Sequence, residues 1–175
     1  MADQFDLKSL LDALIYAESN NDPMAVSDVG AAGLTQMMPD TAMKPRDDVR
    51  NVFDRAQERG YDVPERTPAA AQGLLFDPDI SYLMGDDYLR AMIDLTGGDM
   101  DRALAAYNWG PTNALKWNGQ FDSLPVQSQD YIPKIRARYE DLTGSLLPAT
   151  GTYGTQRVTS PRPMPRPMGL LEMTQ

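Results

Sequence analysis

Glu18 is the residue whose surroundings best suit it to moving a proton. Leu7, Leu10, Leu11, Leu14 and Ile15 follow the i, i+3, i+4, i+7, i+8 spacing of a helix with one apolar face. One further turn along that stripe lands on Glu18, so the spacing predicts a carboxyl group on the core-facing side near the helix C-terminus. The helix dipole disfavours negative charge there and burial disfavours ionisation, so both effects are expected to raise its pKa. Other chemistries are closed off by composition. The chain has no histidine and no cysteine, which removes Ser-His and Cys-His nucleophiles, disulfides and the commonest transition-metal ligand. No Ser-x-x-Lys motif occurs, and the Asp-x-Asp-x-Asp-Gly spacing of a calcium loop is missing. Acid–base work therefore falls to carboxylates, Lys or Tyr, and no metal or cofactor is expected.

The elements that must carry Glu18 and its partners read as helices. Asn20, Asn21, Asp22 and Pro23 end the first one. Residues 25–39 are rich in small side chains. Gly30 and Gly33 mark a loop that brings backbone close to something, with a short helix expected from Thr35 to Met38 and a break at Pro39. Met37 and Met38 read as core fillers. Val49, Val52, Phe53 and Ala56 predict one short helix, while Pro45, Pro64 and Pro68 mark the rest of 44–73 as a surface excursion. After Asp77-Pro78, a helix with Ile80, Leu83, Met84, Tyr88, Ala91, Met92 and Leu95 on one face runs to Gly97-Gly98. Asp99 is the expected N-cap of a helix from Met100 to Tyr107. A further turn or short helix is expected over 112–117, and a last helix from Ser128 or Tyr131 to about Leu142, ended by Gly144. No segment sustains period-2 alternation, so the fold class is mainly α.

The chain has 175 residues and a net charge of −9, enough for one domain with a real core. Residues 1–144 hold 13 basic and 24 acidic residues, a net −11, which gives nucleic-acid binding no electrostatic support. No stretch approaches transmembrane length, so membrane insertion is not expected. The N-terminus MADQFDLKSLL is acidic and alternating, unlike a secretory signal. Domain organisation is read as a catalytic domain over 1–144 and a tail over 145–175. In the tail, Pro161, Pro163, Pro165 and Pro167 alternate with Arg162, Met164, Arg166 and Met168. Such a segment makes neither helix nor inner strand. It is either a disordered tail or an extended tether with Leu170, Leu171 and Met173 as an apolar anchor.

Four segments in order resemble the catalytic domain of the soluble lytic transglycosylases. They are Glu18-Ser19 with Pro23, Ala25 and Ser27; Gly30 to Pro39 followed by Thr41-Ala42; Phe76-Asp77-Pro78 with Ile80; and Ala105-Ala106-Tyr107-Asn108-Trp109-Gly110-Pro111. The resemblance implies a lysozyme-like helical fold and a peptidoglycan glycan strand as partner. It implies Glu18 as the catalytic acid, with Ser19 and Ser27 close to that carboxylate or to the sugar. Gln36 would line the sugar cleft, Tyr107 and Asn108 would face acid and saccharide, and Tyr131 would be a cleft tyrosine. A glycosidase normally uses two carboxylates, roughly 5–10 Å apart. The resemblance implies that one would suffice here, because a lytic transglycosylase draws on the substrate's N-acetyl group and C6 hydroxyl and leaves a 1,6-anhydro product.

The sequence departs from that family at several positions. Thr35 stands where methionine is usual, costing apolar contact with the sugar. Trp109 replaces a small residue and is either a platform for a sugar ring or a packing residue. Gln127 stands where the family often has a carboxylate. Residues 44–72 are longer than the simplest members need and read as a lid or flap. Two other readings remain: a lysozyme-type muramidase, and a structural virion component that keeps the fold. The missing signal and the Pro-Arg-Met tail favour a bacteriophage protein, virion-associated or released as an endolysin, with other virion proteins as partners through the tail.

Overall fold

The apolar stripe of residues 7–15 does form a helix, and its side chains Leu7, Leu10, Leu11, Ala13, Leu14 and Ile15 are buried. The computed structural model describes residues 3–45, 49–63 and 65–152. Pro64 and the tail residues 161–173 named above lie outside them. The described chain is mainly helical. In order it comprises β1 (Asp3–Gln4), α1 (Leu7–Ser19), α2 (Pro39–Met43), α3 (Val52–Glu58), α4 (Pro68–Leu75), α5 (Pro78–Leu95), α6 (Met100–Trp109), α7 (Pro111–Lys116), a 3-10 turn (Phe121–Ser123), α8 (Val126–Thr143) and β2 (Gly151–Thr152).

Two units divide these residues. One holds 3–17 and 86–152, the other 18–85. In the first, α6 packs on α7 and α8, and β1 pairs in parallel with β2, Asp3 opposite Gly151 and Gln4 opposite Thr152. Asp99 caps α6 by accepting from the Arg102 amide at 3.0 Å, as its position before the apolar run predicts. Gly144, at φ 69°, stops α8 with a left-handed residue. The chain stays attached past that stop. Leu147 is buried, Met100 N donates to Ala149 O at 2.9 Å, and Gly151 N donates to Gly98 O at 3.0 Å. The border drawn at Gly144 thus marks the end of α8, with eight further residues held against the same unit.

In the second unit α2, α3 and α4 pack on one another. Several expectations change here. Residues 35–38 are not a helix. They form a turn closed by an antiparallel bridge between Ala32 and Met37, because Gly33 and Gln36 both take positive φ, 76° and 45°. Pro39 starts α2 instead of breaking a helix, since a missing N–H costs nothing at the first helical position. Pro68 does the same for α4, with the Thr67 side chain accepting from the Ala70 amide at 3.2 Å. Much of the expected surface excursion is therefore helix, with Ala71 and Leu75 buried. Helix α5 is buried on more than one face in each unit: Ile80, Tyr82 and Met84 are covered in this one, and Leu89, Met92 and Ile93 in the other. Of the two methionines read as core, Met37 is buried and Met38 is exposed.

Candidate active site

Glu18 is the penultimate residue of α1 and is half-buried. The helix stops directly behind it because Asn20 and Asn21 adopt φ 53° and 64°, a left-handed conformation that asparagine tolerates better than most residues. The turn is fixed by Asp22 N donating to Ser19 O at 3.0 Å and by Met24 N donating to the Asp22 carboxylate at 2.8 Å. One residue before Glu18, the carbonyl of Ala17 accepts from Lys134 Nζ at 3.3 Å. The Lys134 ammonium and the Arg138 guanidinium lie 5.5 and 4.8 Å from the Tyr16 ring centre. Cations at a helix C-terminus offset its negative dipole end, and here they also stack on the ring of the last turn.

The polar residues expected near the sugar hold a loop. Ser19 Oγ donates to Leu34 O at 2.8 Å, tying the end of α1 to the segment 25–37. Ser27 closes the tip of that segment. Its amide donates to Ala31 O at 2.9 Å, and its Oγ accepts from Ala31 N at 3.0 Å. Gln36 Nε2 donates to Ala25 O at 3.0 Å and to Gly33 O at 2.9 Å, bridging the two sides of the loop. Gly33 makes the close approach that its residue type foretold: a Cβ there would stand 1.9 Å from Leu75 O. Gly30 faces open space. Thr35 is buried and bonds Ser81, with Thr35 Oγ1 donating to Ser81 O at 3.3 Å. Its side chain is a core hydrogen-bonding group, which corrects the expectation that it borders the sugar.

The remaining candidates belong to the other unit. Tyr107 meets Tyr88 edge-on, ring centres 5.2 Å apart at 73°. Asn108 Oδ1 accepts from Ser128 Oγ at 2.9 Å, and Ser128 is itself buried. The start of α8 thereby orients the asparagine at the end of α6. Trp109 is the last residue of α6 and half-buried, its carbonyl accepting from Asn113 Nδ2 at 3.0 Å. Tyr131 is buried in α8, while Gln127 is exposed. Lys116 and Trp117, which line a cavity with Trp109, gave no signal in the sequence, because a lysine and a second tryptophan mean nothing until the end of α6 and α7 bring them together. Among the described residues no group of three or more acidic side chains is placed to hold a metal ion, and no helix is long and apolar enough to cross a membrane.

The chain is 32% identical over 136 residues to the soluble lytic murein transglycosylase of Escherichia coli strain K12, covering 71% of this chain and 19% of that protein. It is 32% identical over 137 residues to the soluble lytic murein transglycosylase of Salmonella typhimurium, with the same coverage. It thus spans about a fifth of the length of these relatives. Among solved structures it is similar to the 70 kDa soluble lytic transglycosylase of Escherichia coli, at 25% identity and TM-score 0.59 over 79% of this chain and 22% of that one. It is also similar to an inactive mutant of the lytic transglycosylase Slt from Pseudomonas aeruginosa, at 22% identity and TM-score 0.60 over 81% and 23%. The sequence pattern of the transglycosylase SLT domain matches residues 3–129. A match from β1 into α8 takes in Glu18, the 25–37 loop and the Tyr107-Asn108 pair together, and by it this chain belongs to the transglycosylase SLT domain family.

Proposed function

We propose that this chain is a peptidoglycan lytic transglycosylase that cleaves the β-1,4 bond between N-acetylmuramic acid and N-acetylglucosamine, with Glu18 as its single acid and base. The observation that carries this reading is the family match over 3–129 combined with a half-buried glutamate at the end of α1. No histidine or cysteine is present to share the work. In the proposed course Glu18 gives its proton to the glycosidic oxygen as the bond to the anomeric carbon breaks. The N-acetyl group of the muramic sugar supports the developing positive charge. The Glu18 carboxylate then takes the proton of the C6 hydroxyl, whose oxygen closes onto the anomeric carbon. The product is a 1,6-anhydro sugar, water is not consumed, and Glu18 ends as it began. Ser19, Ser27 and Gln36 serve by holding the 25–37 loop. Asn108, oriented by Ser128, and Tyr107, Trp109 and Tyr131 are proposed as saccharide contacts.

A zymogram on peptidoglycan tests the assignment: Glu18→Gln is expected to lose clearing by a factor of at least about 10³, the scale of removing an essential acid–base group. Equal clearing by both proteins would sink it and favour a scaffold that merely keeps the fold. Mass spectrometry of the released muropeptides separates the two cleavage chemistries. Anhydro ends, lighter by one water, are expected; reducing muramic ends would make the protein a muramidase. We further propose that the Pro-Arg-Met segment 161–168 tethers the enzyme to a larger assembly, with a bacteriophage virion as its setting. Its alternating Pro, Arg and Met composition supports a partner-binding role. Mass spectrometry of purified particles is expected to find the protein, and its absence there would leave a free endolysin.

A further inference from the structure

Helix α1 ends one residue past Glu18, so the carbonyls of its last turn find no partner within the helix. Ala17 O is one of them, and it accepts from Lys134 Nζ at 3.3 Å. Arg138 follows Lys134 by one turn of α8, on the same face. Both cations lie against Tyr16, at 5.5 and 4.8 Å from its ring centre. Arg138 Nε is buried and meets no hydrogen-bond partner among the described residues, which leaves the ring to hold that guanidinium. These two cations differ from the others of their unit. Lys8, Arg90, Arg102 and Arg136 each pair with an aspartate, whereas among the described residues neither Lys134 nor Arg138 pairs with a carboxylate. Their counter-charges are the negative end of α1 and the π face of Tyr16. The last turn of α1 is what this part of α8 is built to grip.

Glu18 stands between two attachments. Before it, Ala17 is held by Lys134; after it, Ser19 Oγ donates to Leu34 O at 2.8 Å. A helix end frays when its terminal groups are left free, and a misplacement of about 1 Å at a reacting group can cost about 10²-fold in rate. We propose that Lys134 and Arg138 are positioning residues for glycan cleavage. By gripping Tyr16 and the Ala17 carbonyl they fix the last turn of α1, and with it the Glu18 carboxyl, for proton transfer. In this role they act through α1 and not on the substrate. The assignment rests on the reading of Glu18 as acid and base, and adds what keeps that residue in place.

Initial rates on soluble peptidoglycan strands, read by chromatography of the released products, test it. Changing Lys134→Gln and Arg138→Gln together is expected to lower kcat about tenfold and leave KM within about twofold, because binding is untouched while the acid loses its fixed position. Restoring the charge with Lys134→Arg, alone in the wild-type background, is expected to keep kcat within about twofold. Lys8→Gln, at the other end of α1, removes an exposed cation paired with Asp12 and should leave both constants unchanged. Hydrogen exchange gives a measure independent of turnover: amides of residues 14–22 should exchange at least about fivefold faster in the double variant, while those of 7–12 stay as they were. An unchanged kcat, a loss confined to KM, a loss of the same size with Lys134→Arg, or unaltered exchange at the end of α1 would overturn the proposal. Faster exchange there in a protein whose wild type cleaves nothing would uphold the grip of α8 on α1 and place the failure in the lytic reading.

Discussion

Thr35 shows how a side chain's surroundings decide what it does. It is fully buried, and its hydroxyl and amide both meet Ser81: Oγ1 lies 3.3 Å from Ser81 Oγ and N donates to it at 3.4 Å. A methionine in its place would add bulk to a closed site and remove the partner of a buried hydroxyl. Thr35→Met is therefore expected to lower unfolding free energy by about 2–4 kcal/mol, combining overpacking with an unsatisfied polar group. Urea denaturation measures this. A neutral result would mean that the site opens and that Thr35 borders a cleft after all. Thr35→Ser keeps the hydroxyl and is expected to lose only about 1 kcal/mol, the value of a buried methyl group. The place of Glu18 at the end of α1 and its partial burial were legible in the sequence, because a helix stripe projects position and burial at once. The environment of Thr35 was not, since Ser81 lies 46 residues away and no local pattern pairs them.

At the scale of elements, the 25–37 loop decides whether the end of α1 has anything to rest on. Bridges from Val26 to Ala32 and from Ala32 to Met37 fold it on itself, and Ser19 joins it through Leu34 O. Gly33 seats the loop against the end of α4, where a Cβ would meet Leu75 O at 1.9 Å and Ser81 Oγ at 2.8 Å, with φ at 76°. Gly30 has φ 90° but open space around it. Gly30→Ala is thus expected to cost about 1–2 kcal/mol through backbone strain alone. Gly33→Ala should exceed about 3 kcal/mol, because the loop must also lift off backbone that cannot yield. Paired thermal melts test the contrast, and similar losses at both glycines would reject the close-approach account. The main helices and most of their ends were readable from periodicity and caps, as Asp99 and Gly144 show. The misreadings have two causes: at Pro39 and at α4 proline was taken as a breaker where the fold uses it at a first helical position, and at 35–38 the positive φ of Gln36 has no marker in a single sequence.

At the scale of the whole molecule, the described chain closes on its own beginning. β1 and β2 pair, Phe5 N donates to Thr152 O at 3.3 Å, and Asp6 N donates to the Tyr139 hydroxyl at 3.0 Å. Leu147 is buried, and its carbonyl accepts from Arg136 Nη1 at 2.6 Å, the same arginine that pairs with Asp101. Gly98 admits the returning strand because a Cβ there would sit 2.5 Å from Gly151 O. Residues 145–152 thus contribute a buried leucine and several hydrogen bonds that α8 cannot replace. A chain ending at Thr152 is expected to keep its melting temperature within about 2 °C of the full-length protein, since the contacts named here remain. A chain ending at Gly144 loses the Leu147 side chain, worth about 2–5 kcal/mol. At about 2–4 °C per kcal/mol for a domain of this size, its melting temperature should fall by roughly 4–20 °C. Peptidoglycan clearing at low temperature should survive in the first truncation if the tether reading is right, while incorporation into a larger assembly is lost. A stable protein ending at Gly144 would show that strand closure is incidental, whereas an unstable one ending at Thr152 would show that residues 153–175 belong to the fold and not to a tether.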